Sequence, residues 1–492
     1  MGDLHDLRIT LDGHLPVVTI ESHEEGRVLD LFRRLALEIE QPIFSWTASE
    51  GIRRVELDLD PREDLQDAEA LLRYMRAYGR PGVFILLDFH HWLDDPILIR
   101  LLKDVAMDHA RTRTKVVLLS HALKPPKELQ HLSASFQLAM PDRDTLMAEI
   151  KTAAREWAAR NHGLRVRTDR DTLERMINSL RGLTLSDARR LLRNAVFDDG
   201  AITADDIQEV AKAKYELLNT DGVLSFEFDT ARLSDVGGFG QLKRWLHLRK
   251  AAFLGGEAAT GLEPPKGVLM VGVQGAGKSL AAKAVAGAWA LPLLRLDFGT
   301  LYNKYFGETE RNLRAALKTA SAMAPCVLWI DEIEKGTASK GNDNGTAQRV
   351  LGTLLTWMAE RAEPVFIVAT ANDISALPPE LIRKGRVDEI FFVDLPGEPA
   401  RRDIFAIHLK RRDLDPAGYD LPALAQSSEG FSGAEIEQAV VAMLYAARAG
   451  EQLPGQGLLE AELARTRPLS VVMAEQIEGL RQWARGRTVP AD

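Results

Sequence analysis

A single cysteine, Cys326, stands among 492 residues, so the chain can build neither an internal disulfide nor a zinc site of several cysteines. That suits a reducing compartment, and the expected location is the cytoplasm. Long apolar runs are also missing. Stretches such as Gly82–Leu87 and Pro325–Ile330 are strand-sized, far short of the roughly 20 residues a membrane-spanning helix needs. The opening MGDLHDLRITLDG puts acidic residues where an export signal needs a basic stretch and an apolar core. Neither a signal nor a membrane span is expected. Positive charge is not in excess: 62 Lys and Arg face 71 Asp and Glu, a net charge of -9. A general polyanion-binding surface is disfavoured, which leaves only local basic grooves for nucleic acid. The run His23-Glu24-Glu25-Gly26-Arg27 lacks the second histidine of H-E-x-x-H, which excludes a zinc protease of that class. His90-His91 finds no third ligand at helical spacing and is set aside as a metal site.

What is present is an ordinary globular composition, 46% hydrophobic and 27% charged, at a length that allows about three domains. In the first half, β-like runs at Leu15–Ile20, Pro81–Leu87 and Lys115–Leu119 alternate with helical patterns at 26–40, 67–78 and 97–109, which implies a parallel sheet. Residues 143–214 then read as a small helical bundle attached to that sheet. Leu218–Leu233 has no helical period and is taken as the connection between halves. The second half repeats the plan, with strands expected at Gly267–Val271, Leu293–Asp297, Cys326–Ile330, Val365–Thr370 and Glu389–Val393, and helices from Arg401 to Ala449. Features recur at an offset of about 250 residues, as tandem copies would give. Ile20 answers Val271, Asp88 answers Asp331, and Gly182-Leu183-Thr184 answers Gly430-Phe431-Ser432.

The chemistry concentrates in the second half. Gly272-Val273-Gln274-Gly275-Ala276-Gly277-Lys278-Ser279 fits the phosphate-binding G-x-x-x-x-G-K-[ST], directly after a strand pattern and before a helical one. The glycines let successive N–H groups and the helix N-terminus face a β-phosphate, Lys278 adds a cation, and the Ser279 hydroxyl can ligate Mg2+. Leu280 is counted with this nucleotide-binding set. About 50 residues further on, Cys326–Ile330 ends in Asp331 and Glu332. Asp331 is assigned to the magnesium ion, Glu332 to polarising a water for attack on the γ-phosphate. Asn372, after the strand Val365–Thr370, can position that water. Arg383 and Arg386 are expected to reach a neighbouring subunit, because Lys278 already serves their own chain's site.

Residues 231–450 resemble an AAA ATPase of the AAA+ superfamily. Asp235-Val236-Gly237-Gly238 resembles the motif on the adenine side, Gly430-Phe431-Ser432-Gly433-Ala434 the lid segment that abuts the nucleotide, and His408 the base-proximal histidine. Asp235, Gly237, His408, Gly433 and Ala434 therefore join the nucleotide set by resemblance. The resemblance implies ATP and Mg2+ as ligands and a hexameric ring in which Arg383 and Arg386 are donated across each interface. Lys304-Tyr305-Phe306-Gly307-Glu308 resembles a first pore loop, whose aromatics Tyr305 and Phe306 would grip a polypeptide, and Lys335–Gly345 a second.

Over nearly its full length the chain is similar to the bacterial and plastid AAA proteins called hypothetical chloroplast reading frame forty-six, whose first half is built like an ATPase without the machinery. Here Glu21-Ser22-His23-Glu24-Glu25-Gly26-Arg27 stands where a P-loop would follow Ile20, and Phe89 rather than a base follows Asp88. No hydrolysis is expected in residues 1–215. The expected division is a degenerate ATPase-like α/β domain over 1–140, a helical lid-like subdomain over 141–217, a linker over 218–233, a large ATPase subdomain over 234–396, and a helical lid with tail over 397–492. The leading expectation is an ATP-driven homo-oligomeric motor that remodels a protein partner. The alternatives are a nucleotide-gated scaffold recruiting a partner through its first half and, disfavoured by charge, a DNA-associated machine.

Overall fold

A computed structural model describes all residues except 1, 40, 58, 220–221, 229, 256–260, 303–308, 337–343, 375–376, 378 and 384. The chain divides into two compact units, Met1–Leu146 with Leu183–Arg190 and Met147–Gly182 with Leu191–Asp492.

The first unit carries strands β1 (Val17–Glu21), β2 (Ile43–Thr47), β3 (Gly51–Arg54), β4 (Gly82–Leu87), β5 (Thr114–Ser120) and β6 (Ser133–Phe136), in the spatial order β3-β2-β4-β5-β1-β6. β2 and β3 form an antiparallel hairpin, whereas the pairs β2–β4, β4–β5, β5–β1 and β1–β6 run parallel. β4 and β5 are buried along their whole length, as parallel strands covered on both faces must be. Successive side chains divide between two cores. Phe84, Leu86, Val116 and Leu118 pack with helices Ala68–Tyr78 and Pro96–Met107, whereas Val83, Ile85, Val117 and Leu119 pack with helix Glu25–Leu35.

The second unit carries β7 (Leu224–Glu227), β8 (Gly267–Gly272), β9 (Leu293–Asp297), β10 (Cys326–Asp331), β11 (Val365–Ala371), β12 (Glu389–Val393) and β13 (Val489–Pro490), ordered β13-β12-β8-β11-β10-β9-β7. The five central strands, β12-β8-β11-β10-β9, follow the same succession as β6-β1-β5-β4-β2 of the first unit. Each sheet also adds one antiparallel strand beyond that end. The expected α/β architecture with parallel central strands is therefore present in both halves.

Two expectations change. The stretch read as a plain connection contributes β7, whose Leu224 and Phe226 are buried against β9. Helices Arg170–Leu180 and Ala204–Leu218 belong to the second unit rather than being attached to the first sheet. The reason is apolar: Ala211, Tyr215 and Leu218 join the core that holds Leu317, Met323 and Cys326. Among the described residues, no helix is long and apolar enough to cross a membrane.

Lys214 lies inside that junction, 1% exposed, with its ammonium donating to the Arg181 carbonyl. Burial pushes it down to about 8 from an ordinary 10.5. The unfolded chain then binds the extra proton between pH 8 and 10.5, so folding stability rises with pH across that window and the burial cost is fully felt below it. Lys214→Met should flatten that rise and stabilise the protein at pH 7 by on the order of 1 to 3 kcal/mol. Urea titrations at pH 7 and pH 10 check it; an unchanged pH slope would contradict the assignment.

Candidate nucleotide site

β8 delivers the backbone to Gly272, and helix Lys278–Trp289 starts after the short loop 273–277. Gly272 has no room for a side chain, since a Cβ there would come within 2.0 Å of the Val393 carbonyl oxygen. At the helix start, Gly277 adopts φ 99, a left-handed conformation that only glycine takes without strain. The Lys278 ammonium is folded back onto its own loop, donating to the carbonyls of Gly272 and Val273 at 2.8 Å each. Burial pushes it down to about 8, against the opposing pull of Glu334, Asp331 and Glu332.

The acidic side of the site comes from β10 and β11. Asp331 accepts from the Thr370 hydroxyl at 2.8 Å through Oδ1 and from the Arg295 guanidinium at 2.9 Å through Oδ2. Glu332 sits at φ 48, turned away from the strand direction. Its Oε1 accepts from the Asn372 side-chain amide at 3.0 Å, its N–H donates to Thr370 Oγ1 at 3.1 Å, and Lys335 pairs with it. Thr370 thus ties the Asp331 carboxylate and the Glu332 backbone to β11. Glu334, buried and held above the usual carboxylate range by that burial, accepts the Asn372 N–H at 2.9 Å. Neither Thr370 nor Glu334 was singled out from sequence, because only the folded β10–β11 pairing brings them beside Asp331 and Asn372.

The third wall is helical. Ser432 caps helix Gly433–Ala449 through a capping box with Glu435, and the Ala434 N–H donates to the Gly275 carbonyl at 3.4 Å. His408 lies buried on helix Glu398–Lys410, 3.5 Å from Glu437; burial pushes its imidazolium below the ordinary range while Glu437 pulls the other way. Arg411 and Glu437 also face the cavity.

These walls enclose a cavity of about 690 Å³, well within the range of small-ligand sites. Asp235, Gly237, Gln274, Gly275, Ala276, Gly277, Lys278, Ser279, Leu280, Asp331, Glu332, Asn372, His408, Gly433 and Ala434 all line it. Gly272 supports the loop from behind. Arg383 is exposed, and Arg386 donates to the Glu380 carbonyl; neither lines the cavity. Tyr305 and Phe306 lie outside the described residues, as does most of the second proposed pore loop. The cavity can take an anionic ligand with an apolar part, since its lining includes the loop 274–277 and Lys278 as well as apolar side chains such as Ile404 and Ile407. Ser279 and Asp331 supply the hard oxygen donors that magnesium prefers.

The same sheet edge in the first unit is built differently, and its registers correct the sequence match by one residue. Glu21 pairs with Ser120 where Val271 pairs with Ala371. Asp88, at φ 52, therefore stands in the place of Glu332, at φ 48, and Leu87 in the place of Asp331. Each is followed by a short 3-10 turn, Phe89–Trp92 and Ile333–Gly336. The carboxylate present there is thus the counterpart of Glu332, whereas the counterpart of Asp331 is apolar. The loop before helix Glu25–Leu35 is only residues 22–24, too short to wrap a phosphate. Glu24 fills the space: its carboxylate accepts from the Ser186 N–H at 3.1 Å and pairs with Arg27 at 3.0 Å. His90 and His91 have ring centroids 3.9 Å apart, with His121 5.0 Å from His90.

Comparison with known proteins gives three family matches. The family "ATPase family associated with various cellular activities (AAA)" matches residues 268–395. Ahead of it, the "SpoVK-like AAA ATPase, N-terminal domain" matches residues 4–138 and the "SpoVK-like AAA ATPase, second domain" residues 144–221. The chain is 34% identical over 491 residues to the "Uncharacterized AAA domain-containing protein ycf46" of Guillardia theta, covering 98% of this chain and 95% of that one. It is 33% identical over 491 residues to the protein of the same description from Pyropia yezoensis, covering 98% of each. To the "Proteasome-activating nucleotidase" of Aeropyrum pernix it is 39% identical over 192 residues, 38% of this chain and 46% of that one. The chain belongs to the AAA ATPases, within the ycf46 family of AAA domain-containing proteins.

Proposed function

We propose that the second half hydrolyses ATP and that the assembled protein uses this cycle to remodel a protein partner. One observation carries the reading: P-loop, Asp331–Glu332, Asn372 and the lid helix N-terminus converge on a single cavity. In this reading Lys278 leaves its backbone carbonyls for the β- and γ-phosphate oxygens, and the N–H groups of residues 275–279 hold the β-phosphate. Glu332, oriented by Asn372, accepts the proton of the attacking water. Ser279 and Asp331 would hold Mg2+, which neutralises phosphate charge when bound. Asp235, Gly237, His408, Gly433 and Ala434 surround the base. Arg383 and Arg386 complete the site of an adjacent copy in a homo-oligomer, for which a hexameric ring is our choice. The first unit, with Glu24 filling its own loop, is assigned to recruiting the partner rather than to hydrolysis. The single buried cysteine suits action in the cytoplasm.

Tyr305 and Phe306 are the residues proposed to grip the partner. A relative named for proteasome activation by a nucleotidase fits that role. Tyr305→Ala is expected to keep ATP turnover within about twofold while abolishing ATP-dependent unfolding of a bound partner, followed by partner fluorescence. Full partner activity in that variant would favour the nucleotide-gated scaffold instead.

A further inference from the structure

The C-terminal residues lie outside the stretch that matches the AAA family, yet they reach the nucleotide cavity. Helix Ala474–Ala484 is pinned to the end of β12 by Arg481, whose guanidinium binds both oxygens of Asp394 at 2.9 and 3.0 Å. The chain then adds β13 alongside β12, and the Ala491 N–H donates to the Phe392 carbonyl at 2.9 Å. Helix Gly240–Leu254 has no cap from its own chain entry, because Phe239 enters it at φ 62 with no side-chain acceptor. Its first N–H groups are satisfied from the tail. Gln241 and Leu242 donate to the Ala491 carbonyl at 3.1 and 3.2 Å, and Gly240 donates to Asp492 Oδ1 at 3.3 Å.

That helix start holds the adenine-side loop. Lys243 donates to the Val236 carbonyl at 2.6 Å. Gly238, at φ 71, runs so close to Asp492 that a Cβ there would come within 3.0 Å of the carboxylate. Phe239 reaches to the P-loop, its ring 3.5 Å from where a Gly277 Cβ would be. Pro490, Ala491 and Asp492 themselves line the cavity. An acceptor at a helix N-terminus satisfies donors that otherwise stay orphaned and is favoured by the helix dipole.

We propose that residues 489–492 are a positioning element of the nucleotide site, with Asp492 and the Ala491 carbonyl clasping the start of helix Gly240–Leu254 and so holding the Asp235–Phe239 loop in its ligand-binding shape. This rests on the nucleotide reading of the cavity. The clasp acts on affinity rather than on the chemical step, so its loss weakens ATP and ADP alike. Because linkage is reciprocal, bound nucleotide must in turn hold the tail closed.

The test uses the full chain and ADP carrying a ribose-linked fluorophore. Asp492→Ala is expected to weaken binding roughly tenfold, the order of one lost helix cap, and deletion of 489–492 by more. Asp492→Asn, which keeps a side-chain acceptor, should bind within about twofold of the parent. Hydrogen exchange at Gln241, Leu242 and Ala491 should slow on adding ADP, a response that a merely structural tail would not give. Parental affinity in both Asp492→Ala and the deletion, with exchange insensitive to ADP, overturns the proposal. Failure of the parent chain to bind the probe at all overturns the nucleotide reading beneath it.

Discussion

Replacing Glu332 by Gln is expected to leave ATP binding intact and to slow turnover by roughly 10² to 10⁴, the usual worth of a positioned general base. The expectation follows from geometry. Glu332 stands at the C-terminal end of a buried strand in a left-handed conformation, with its N–H held by Thr370 and one carboxylate oxygen by Asn372. Glutamine fills the same space and can still accept from Asn372, but it cannot take a proton from water. Asp331 keeps its partners Thr370 and Arg295, so the carboxylate proposed to hold Mg2+ is undisturbed. Steady-state phosphate release gives the turnover, and equilibrium binding of labelled ATP shows whether the pocket is intact. Turnover equal to that of the parent would remove Glu332 from the role of base.

Arg383→Ala is expected to cost more, roughly 10³ to 10⁵ in rate, the range for an arginine that stabilises phosphoryl transfer. Within one chain neither Arg383 nor Arg386 lines the cavity, and Arg383 is exposed to solvent. Their assigned target is therefore the pocket of the adjacent copy. Mixing supplies the decisive readout. An Arg383→Ala chain has an intact P-loop, and a Lys278→Ala chain has intact arginines, so co-assembly should restore part of the phosphate release that each lacks alone. No recovery in mixed assemblies, with both variants folded, would mean that the arginines do not act between subunits.

The elements that position the site were legible in sequence because their local signals agree. Leu293–Asp297 and Glu389–Val393 form strands at the expected bounds, and the P-loop turns between a buried strand and an Ala-rich helix as its glycines require. Elements set by tertiary pairing were not. β6 reads SASF, with little apolar content, and exists through its pairing with β1. β13 is only Val489–Pro490, below the length at which alternation carries any signal. The place of Asp88 was missed by one residue because its identity matches Asp331, whereas its backbone conformation and strand register match Glu332. Asp492, 252 positions from Gly240 along the chain, had no local feature to mark it. What sequence could name was the chemistry of each motif; what it could not name was which distant backbone holds that motif in shape.

The claim on which the rest depends is that a triphosphate lodges in the second half of the chain and is cleaved only when copies assemble. Its most direct test is ATP turnover per chain as the purified protein is diluted, with retained labelled adenine nucleotide measured alongside. Nucleotide retained with Mg2+, and a specific rate that falls as assemblies dissociate, is the expected result. A chain that retains no adenine nucleotide, or one whose specific rate is constant down to the single copy, would contradict it.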